Sequence, residues 1–112
     1  MNSPVVAKIY DNPISKTLYQ NLLEKLGNLG PHEVEPKQTS LHITNGKRAF
    51  LGVYARSNGL LLSIVGDHML ASPRFKKVEQ LSKSRYHYDI LITEQNDIDS
   101  ELMKWIEASY RL

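Results

Sequence analysis

The chain has 112 residues, of which 41% are hydrophobic and 23% are charged. This length and balance predict one globular domain over residues 1–112 and argue against disorder. Cysteine is absent, which excludes disulfide frameworks, thiolate metal sites and thiol catalysis. Fourteen Lys and Arg residues against twelve Asp and Glu residues leave a net charge of +2, which argues against nucleic acid as a partner. Without a long apolar run or leader, we expect a cytoplasmic protein that has no membrane partner.

Helix signals come first along the chain. Residues 5–10 are compatible with a short helical turn. Asn12-Pro13 then begins the first clear helix, because asparagine caps a helix well and proline suits its first turn. Leucines at near-helical spacing continue the pattern as far as Gly27, so this helix is predicted over residues 13–27.

The middle of the chain indicates antiparallel strands. Apolar residues alternate over residues 40–44 and 48–56, on either side of Asn45-Gly46, which is the strongest two-residue hairpin signal. A third strand is predicted over residues 60–65, after the turn signal Ser57-Asn58-Gly59. Connections this short favour a meander of antiparallel strands.

The last third of the chain contains a loop, a strand and a helix. Residues 66–73 predict a loop, residues 74–84 fit a helix or a strand, and residues 86–92 alternate as a strand. Asn96 or Asp97 is the expected cap of the final helix. The fold class is therefore α+β, with two layers: an antiparallel sheet of four or five strands flanked by N-terminal and C-terminal helices on one face. Nine aliphatic residues should be buried between them: Leu22, Leu26, Leu51, Val53, Leu62, Ile64, Ile90, Leu102 and Ile106.

Four aromatic residues lie on predicted strand faces that two helices would not cover fully. They are Phe50, Tyr54, Tyr86 and Tyr88. A contiguous apolar patch that stays exposed usually marks an interface, and two-fold pairing is its commonest form. A homodimeric structural module is therefore one hypothesis for this chain.

The charge is unevenly distributed, and this suggests a ligand-binding site. Residues 74–85 carry a local charge of +4, whereas residues 94–112 carry −3. We expect Arg74, Arg85 and His87 to converge beside the loop over 66–73, with Lys77 nearby. Such a cluster would bind a small anionic ligand or an acidic protein partner. The alternative is a structural cluster, in which a carboxylate of the same chain lies between the cations. Asp67, Asp89 or Glu79 could supply that carboxylate.

A catalytic interpretation is the rival to this binding domain. Asp67, His68, His87 and Asp89 carry the residue types of a hydrolase or a metal-dependent site. His42-Ile43-Thr44 matches a fragment of two-histidine phosphoesterases, but the second such fragment is missing from the chain. The balance favours a non-enzymatic domain, so we assign no catalytic residue, no metal ligand and no cofactor from the sequence.

Several short motifs, taken in order and spacing, resemble a known family. They are Leu29-Gly30-Pro31 with Glu33 and Glu35, Arg48-Ala49-Phe50, Gly59-Leu60, Ser72-Pro73-Arg74-Phe75-Lys76, Arg85-Tyr86-His87-Tyr88, and Asp97-Ile98-Asp99 leading to Ala108 and Tyr110. Over about residues 5–111 the chain is similar to the domain of unknown function family DUF5655, which is in places labelled a predicted transport protein. The resemblance implies an α+β fold in a stand-alone cytosolic domain, and it implies no established activity.

Overall fold

The helices of this protein begin at clear capping residues. The computed structural model describes residues 3–112, in which α1 spans Pro4–Asp11, α2 spans Pro13–Leu26 and α3 spans Ser100–Tyr110. Side-chain oxygens of Ser3 and Asn12 accept backbone N–H groups at the starts of α1 and α2, and a proline follows each cap. None of the helices in this described part combines the length and apolar character needed to cross a membrane.

The strands form one antiparallel sheet with the order β1-β2-β3-β4-β6-β5. Their bounds are β1 Glu33–Pro36, β2 Leu41–Thr44, β3 Ala49–Arg56, β4 Gly59–Gly66, β5 Phe75–Ser82 and β6 Arg85–Ile92. The first four strands form a meander, after which the chain crosses to the far edge as β5 and returns as β6 beside β4. The loop between β4 and β5 therefore crosses the position in the sheet that β6 occupies.

The α-helices pack on one face of this sheet, as predicted. The nine residues expected in the core are each no more than 1% exposed, so that prediction is confirmed. One cluster of buried side chains contains residues of all three α-helices together with residues of β2, β3, β4 and β6. The opposite face of the sheet is covered by no element within residues 3–112, and we call it the open face.

The sheet has six strands rather than the four or five predicted. The additional strand is β1, in which only Val34 packs towards the core while Glu33, Glu35 and Pro36 are exposed. So short and polar a strand has no apolar alternation that sequence reasoning could use. The ambiguous residues 74–84 contain the edge strand β5, whose residues after Phe75 are all exposed.

Three of the four aromatic residues predicted to be poorly covered are in fact buried. Phe50 and Tyr88 are 0% and 1% exposed and Tyr86 is 9% exposed. The prediction that they form an exposed patch is therefore wrong, while the homodimer itself stays a prediction. Phe50 packs edge-on against Tyr110, and Tyr88 stacks on Phe75 with ring centres 5.0 Å apart. The loop over 67–74 and the end of α3 cover these aromatic side chains. The alternation of residues along a strand does not predict such a cover.

The final helix begins later than predicted. Asn96 and Asp97 lie in a 3-10 helix over Gln95–Asp97, and the Asp99 carboxylate caps α3 by accepting the Leu102 N–H at 2.9 Å. Ile98 lies between the two helices and is 2% exposed, so it still contributes to the core.

A buried serine on α3 completes the pairing of the two central strands. β3 and β4 pair as far as Leu51 and Ile64, and the next ladder bond would join Phe50 to Val65. Instead, the Ser109 hydroxyl donates to the Phe50 carbonyl at 2.6 Å and accepts the Val65 N–H at 3.2 Å. One side chain thus satisfies both backbone groups and fixes the end of α3 on the sheet.

Candidate functional site

The predicted convergence of Arg74 with Arg85 and His87 is not found. The Arg74 guanidinium donates to the Asp99 carboxylate at 3.0 and 3.1 Å and to the Glu101 carboxylate at 3.0 Å. It also donates to the Asp97 carbonyl at 2.8 Å. Burial alone would lower the pKa of Arg74, but these hydrogen bonds outweigh it and raise that pKa. Arg74 therefore anchors the start of α3, through carboxylates other than those considered from the sequence.

The strand register explains why the three residues lie apart. Arg74 adjoins the pair Phe75 and Ile90, whereas Arg85 pairs with Ser82 at the other end of the β5–β6 hairpin. The two ends are separated by roughly 15–20 Å at the rise of an extended strand. On β6, Arg85 and His87 alternate with the core residues Tyr86 and Tyr88, so they point towards the open face.

The other predicted ligand-binding residue, Lys77, also lies on the open face. It pairs across the strands with Asp89, while His87 pairs with Glu79. Lys77 and His87 therefore each have a carboxylate residue beside them on the neighbouring strand. A role for either residue in binding a ligand stays a prediction.

The residues of the catalytic alternative form two separate pairs. Asp67 and His68 are neighbours in the loop, where the Asp67 carboxylate contacts His68 Nδ1 at 2.8 Å. This hydrogen bond holds the pKa of Asp67 below its ordinary value. His87 and Asp89 lie instead on β6, facing away from the helices. Within residues 3–112, no group of three or more His, Asp or Glu side chains is arranged to hold a metal ion.

A shallow depression of about 100 Å³ lies in the middle of the open face. Gly52 is among its lining residues, together with His42 of β2 and His87 of β6. These two strands are separated by β3 and β4, which places the histidine backbones roughly 14 Å apart across the sheet. That separation exceeds what a shared proton or metal needs, so the depression is a surface feature and not a two-histidine centre.

A larger cleft of about 360 Å³ lies beside the turn between β2 and β3. Residues of this turn and of the end of α3 line it: Asn45, Lys47, Arg48, Tyr110, Arg111 and Leu112. Every charged side chain among them is cationic, and we call this the basic cleft. The Asn45 carboxamide fixes the turn, because its oxygen accepts the Lys47 and Arg48 N–H groups and its Nδ2 donates to the Tyr110 carbonyl.

Arg48 is the half-buried cation of the basic cleft. Its guanidinium donates to the carbonyl oxygens of Ala49 and Ser109, the second of which lies in the last turn of α3. Burial lowers the pKa of Arg48, and the nearby positive charge of Arg85 lowers it further. Two of its five N–H donors are used in these contacts, which leaves donors for a ligand. An anion in the cleft would relieve the repulsion between Arg48 and Arg85.

A second cleft with cationic lining lies at the opposite end of β3. It has a volume of about 370 Å³ and includes Lys8 of α1 and Arg56 of β3. The Arg56 guanidinium lies 5.6 Å from the centre of the Tyr54 ring, a distance suited to a cation–π contact. Lys8 and Arg56 are both exposed, whereas Arg48 of the basic cleft is half-buried, so this second cleft is the weaker candidate.

Sequence reasoning missed the basic cleft although it singled out two of its parts. Asn45-Gly46 was identified as a turn signal, and Arg48 lies in a motif shared with a known family. Lys47 and Arg111 are 64 positions apart in the sequence, and no local charge run connects them. Only the contact of the turn with the end of α3 brings these cations together.

A comparison with models of known protein families assigns this chain to a family. Neither the curated proteins nor the solved structures provide a match. The model of one family, described as a domain of unknown function (DUF5655), matches residues 6–112. Because this match covers nearly the whole chain, the protein belongs to the DUF5655 family.

Proposed function

We propose that this protein is a non-enzymatic binding domain for a small anionic ligand or an acidic segment of a partner. The ligand would bind in the basic cleft, with Lys47, Arg48 and Arg111 as its contacts. We place its action in the cytoplasm on the grounds of the cysteine-free composition.

One observation carries this proposal: the lining of the cleft of about 360 Å³ contains three cationic side chains and no acidic side chain. Arg48 is held in place by two carbonyl contacts and keeps further N–H donors. Arg85 adds positive charge nearby without lining the cleft. Arg111 pairs with Glu107 at 3.3 Å, but both side chains are exposed, so a stronger anion can compete with that pair.

The location differs from the site expected from sequence, for a physical reason. Arg74 already holds two carboxylates within 3.1 Å, and an additional anion there would meet negative charge. Arg48 has carbonyl partners only. An approaching phosphate or carboxylate therefore encounters, at Arg48, a positive charge that no carboxylate compensates.

Calorimetric titration with pyrophosphate, and separately with a short Glu-rich peptide, tests the proposal. We expect saturable binding to at least one probe, weakened about three- to tenfold by Lys47→Gln or Arg111→Gln. Increasing salt should weaken it further, since the contacts are charged. The Arg48→Gln variant is less informative alone, because Arg48 also contacts the end of α3.

The matched control is Arg56→Gln, which removes the same charge at the opposite end of β3. It should bind the probe as the native chain does. Equal weakening by Arg56→Gln would reduce the effect to net charge alone, and absence of saturable binding to both probes would end the proposal.

A further inference from the structure

The strand register places one residue of each strand in a single row across the open face. The paired positions run, from β1 to β5 in sheet order, through Glu35, His42, Gly52, Ser63, Asp89 and Lys77. We call this the central row. The central row begins with the acidic Glu35 and ends with the basic Lys77. Its two smallest residues, Gly52 and Ser63, lie in the middle. His42 and Asp89 occupy equivalent positions on either side of that middle.

The residues of the central row are complementary to the residues of the same row in a second copy that runs in the opposite direction. A two-fold axis parallel to the strands and between β3 and β4 would place a second copy face to face with the first. Glu35 of one copy would then oppose Lys77 of the other, and His42 would oppose Asp89. Gly52 would oppose Ser63, where the small side chains permit close approach. Each pair occurs twice, because a two-fold interface is isologous.

We propose that the open face binds a second copy of this chain through the central row. The charge order argues for a second copy over another occupant, because every position of the row finds a suitable partner in the reversed row. Glu35 and Lys77 are exposed, and the contact of Glu35 with Lys37 is long, at 3.9 Å. Both side chains can therefore rearrange towards a second copy.

Apolar contacts flank the central row. Tyr54, Leu61 and Leu91 form the adjacent row on the open face, and all three are half-buried. Under the same rotation Tyr54 of one copy meets Leu61 of the other, so an aromatic ring covers an aliphatic side chain. One like-charge approach, between Glu33 and Glu79, lies at the rim, where water and salt screen it.

The available area predicts a weak dimer. Four strands have eight residues and two have four, so the open face measures roughly 600 Å² for each copy at standard strand spacing. The pair would bury on the order of 1,200 Å², at the lower end of the range for specific interfaces. Sheets stacked in this way lie about 10 Å apart and about 30° from parallel, and the long Glu35 and Lys77 side chains can span that rotation. A micromolar dissociation constant is the expected result.

Charge exchange tests the dimer and its axis together. Sedimentation equilibrium of the full chain, from about 5 to about 300 µM, should show a mass rising towards twice the 12.8 kDa of one copy. Glu35→Lys or Lys77→Glu should each weaken the dimer about five- to tenfold, because each changes two ion pairs. The double variant restores both pairs in exchanged order and should return the dissociation constant to within about threefold of the native value.

The controls change the same charges on the helix side of the molecule. Glu24→Lys on α2 and Lys104→Glu on α3 alter exposed residues and should leave the dimer unaffected. Ser63→Arg, which puts a bulky cation at the centre of the row, should abolish it. A monomer at the highest concentration would overturn the proposal and leave the open face to a different partner. Failure of the double variant to recover, or equal weakening by the controls, would overturn it as well.

Discussion

Replacing Ser109 by alanine should destabilise this protein more than the loss of a single hydroxyl group suggests. The hydroxyl is fully buried. It donates to the Phe50 carbonyl at 2.6 Å and accepts the Val65 N–H at 3.2 Å. Removing it leaves one acceptor and one donor of the backbone without partners. An unsatisfied buried group costs about 1–3 kcal/mol, and alanine regains a few tenths through its helix propensity. We expect a loss of about 2–4 kcal/mol, because the strands can close only in part.

Ser15→Ala is the matched control for this change. Ser15 is also 0% exposed, but its hydroxyl only donates, to the carbonyl oxygens of Ile9 at 2.8 Å and Asn12 at 3.2 Å. Its loss removes a single shared proton and should cost about 1 kcal/mol. The two variants therefore compare a bridging hydroxyl with a donating one at equal burial.

Urea unfolding followed by Trp105 fluorescence measures both variants. Trp105 is the only tryptophan and packs on Phe75 with ring centres 4.9 Å apart, so its emission reports the docking of α3. The midpoint should fall at an unchanged slope, and the melting temperature should fall by about 10 °C for Ser109→Ala. A loss for Ser109→Ala no larger than that for Ser15→Ala would refute the bridging role, since β3 and β4 would then pair directly or through water.

Two further predictions concern the start of α3 and a turn. The Asp99 pKa is lowered because its carboxylate accepts the Leu102 N–H and pairs with Arg74. It therefore stabilises the fold above its unfolded pKa of about 3.9 and loses that effect as pH falls through its lower folded value. Asp99→Asn keeps a cap without the charge, so its deficit in urea midpoint should be full near neutral pH and shrink as the pH falls below about 3.9; an equal deficit at neutral and acidic pH would contradict this. Gly59→Ala would put a Cβ 2.0 Å from the Ile92 carbonyl oxygen, whereas Gly46→Ala meets nothing within 4 Å. Urea midpoints should show a loss of about 3 kcal/mol or more for the first and about 1 kcal/mol for the second, and equal losses would mean that the Gly59 backbone simply shifts.

The fold was largely predictable because its strongest signals are local. Asn12-Pro13, Asn45-Gly46 and the alternation over residues 86–92 each specify a cap, a turn or a strand through nearby atoms. The strand Glu33–Pro36 was missed, because it owes its conformation to pairing with Leu41–Thr44 and not to a pattern of its own. Long-range pairing of this kind leaves little trace in a short polar segment.

The candidate site was predicted less well, for a related reason. Arg74 and Arg85 are close in sequence and share a basic segment, which suggested convergence. Strand β5 and the turn after it lie between them, however, and place the two side chains at opposite ends of the β5–β6 hairpin. Lys47 and Arg111 are far apart in sequence and meet only because the turn after β2 contacts the end of α3. Charge runs in a sequence therefore predict local charge and not which cations meet in space.

The two proposed surfaces are connected by the symmetry that the central row requires. Rotation about an axis parallel to the strands leaves the position of every residue along the strand direction unchanged. The basic clefts of both copies would then lie at the same end of the dimer, where Lys47 and Arg48 precede β3 and Arg85 begins β6. Positive charge gathered at one end opposes association, and an anion bound in each cleft would reduce that repulsion. Binding and pairing should therefore strengthen each other by the same factor, since coupling is reciprocal. An axis perpendicular to the strands would place the two clefts at opposite ends of the dimer and remove this coupling. The presence or absence of coupling between anion binding and dimerisation therefore reports the orientation of the two copies.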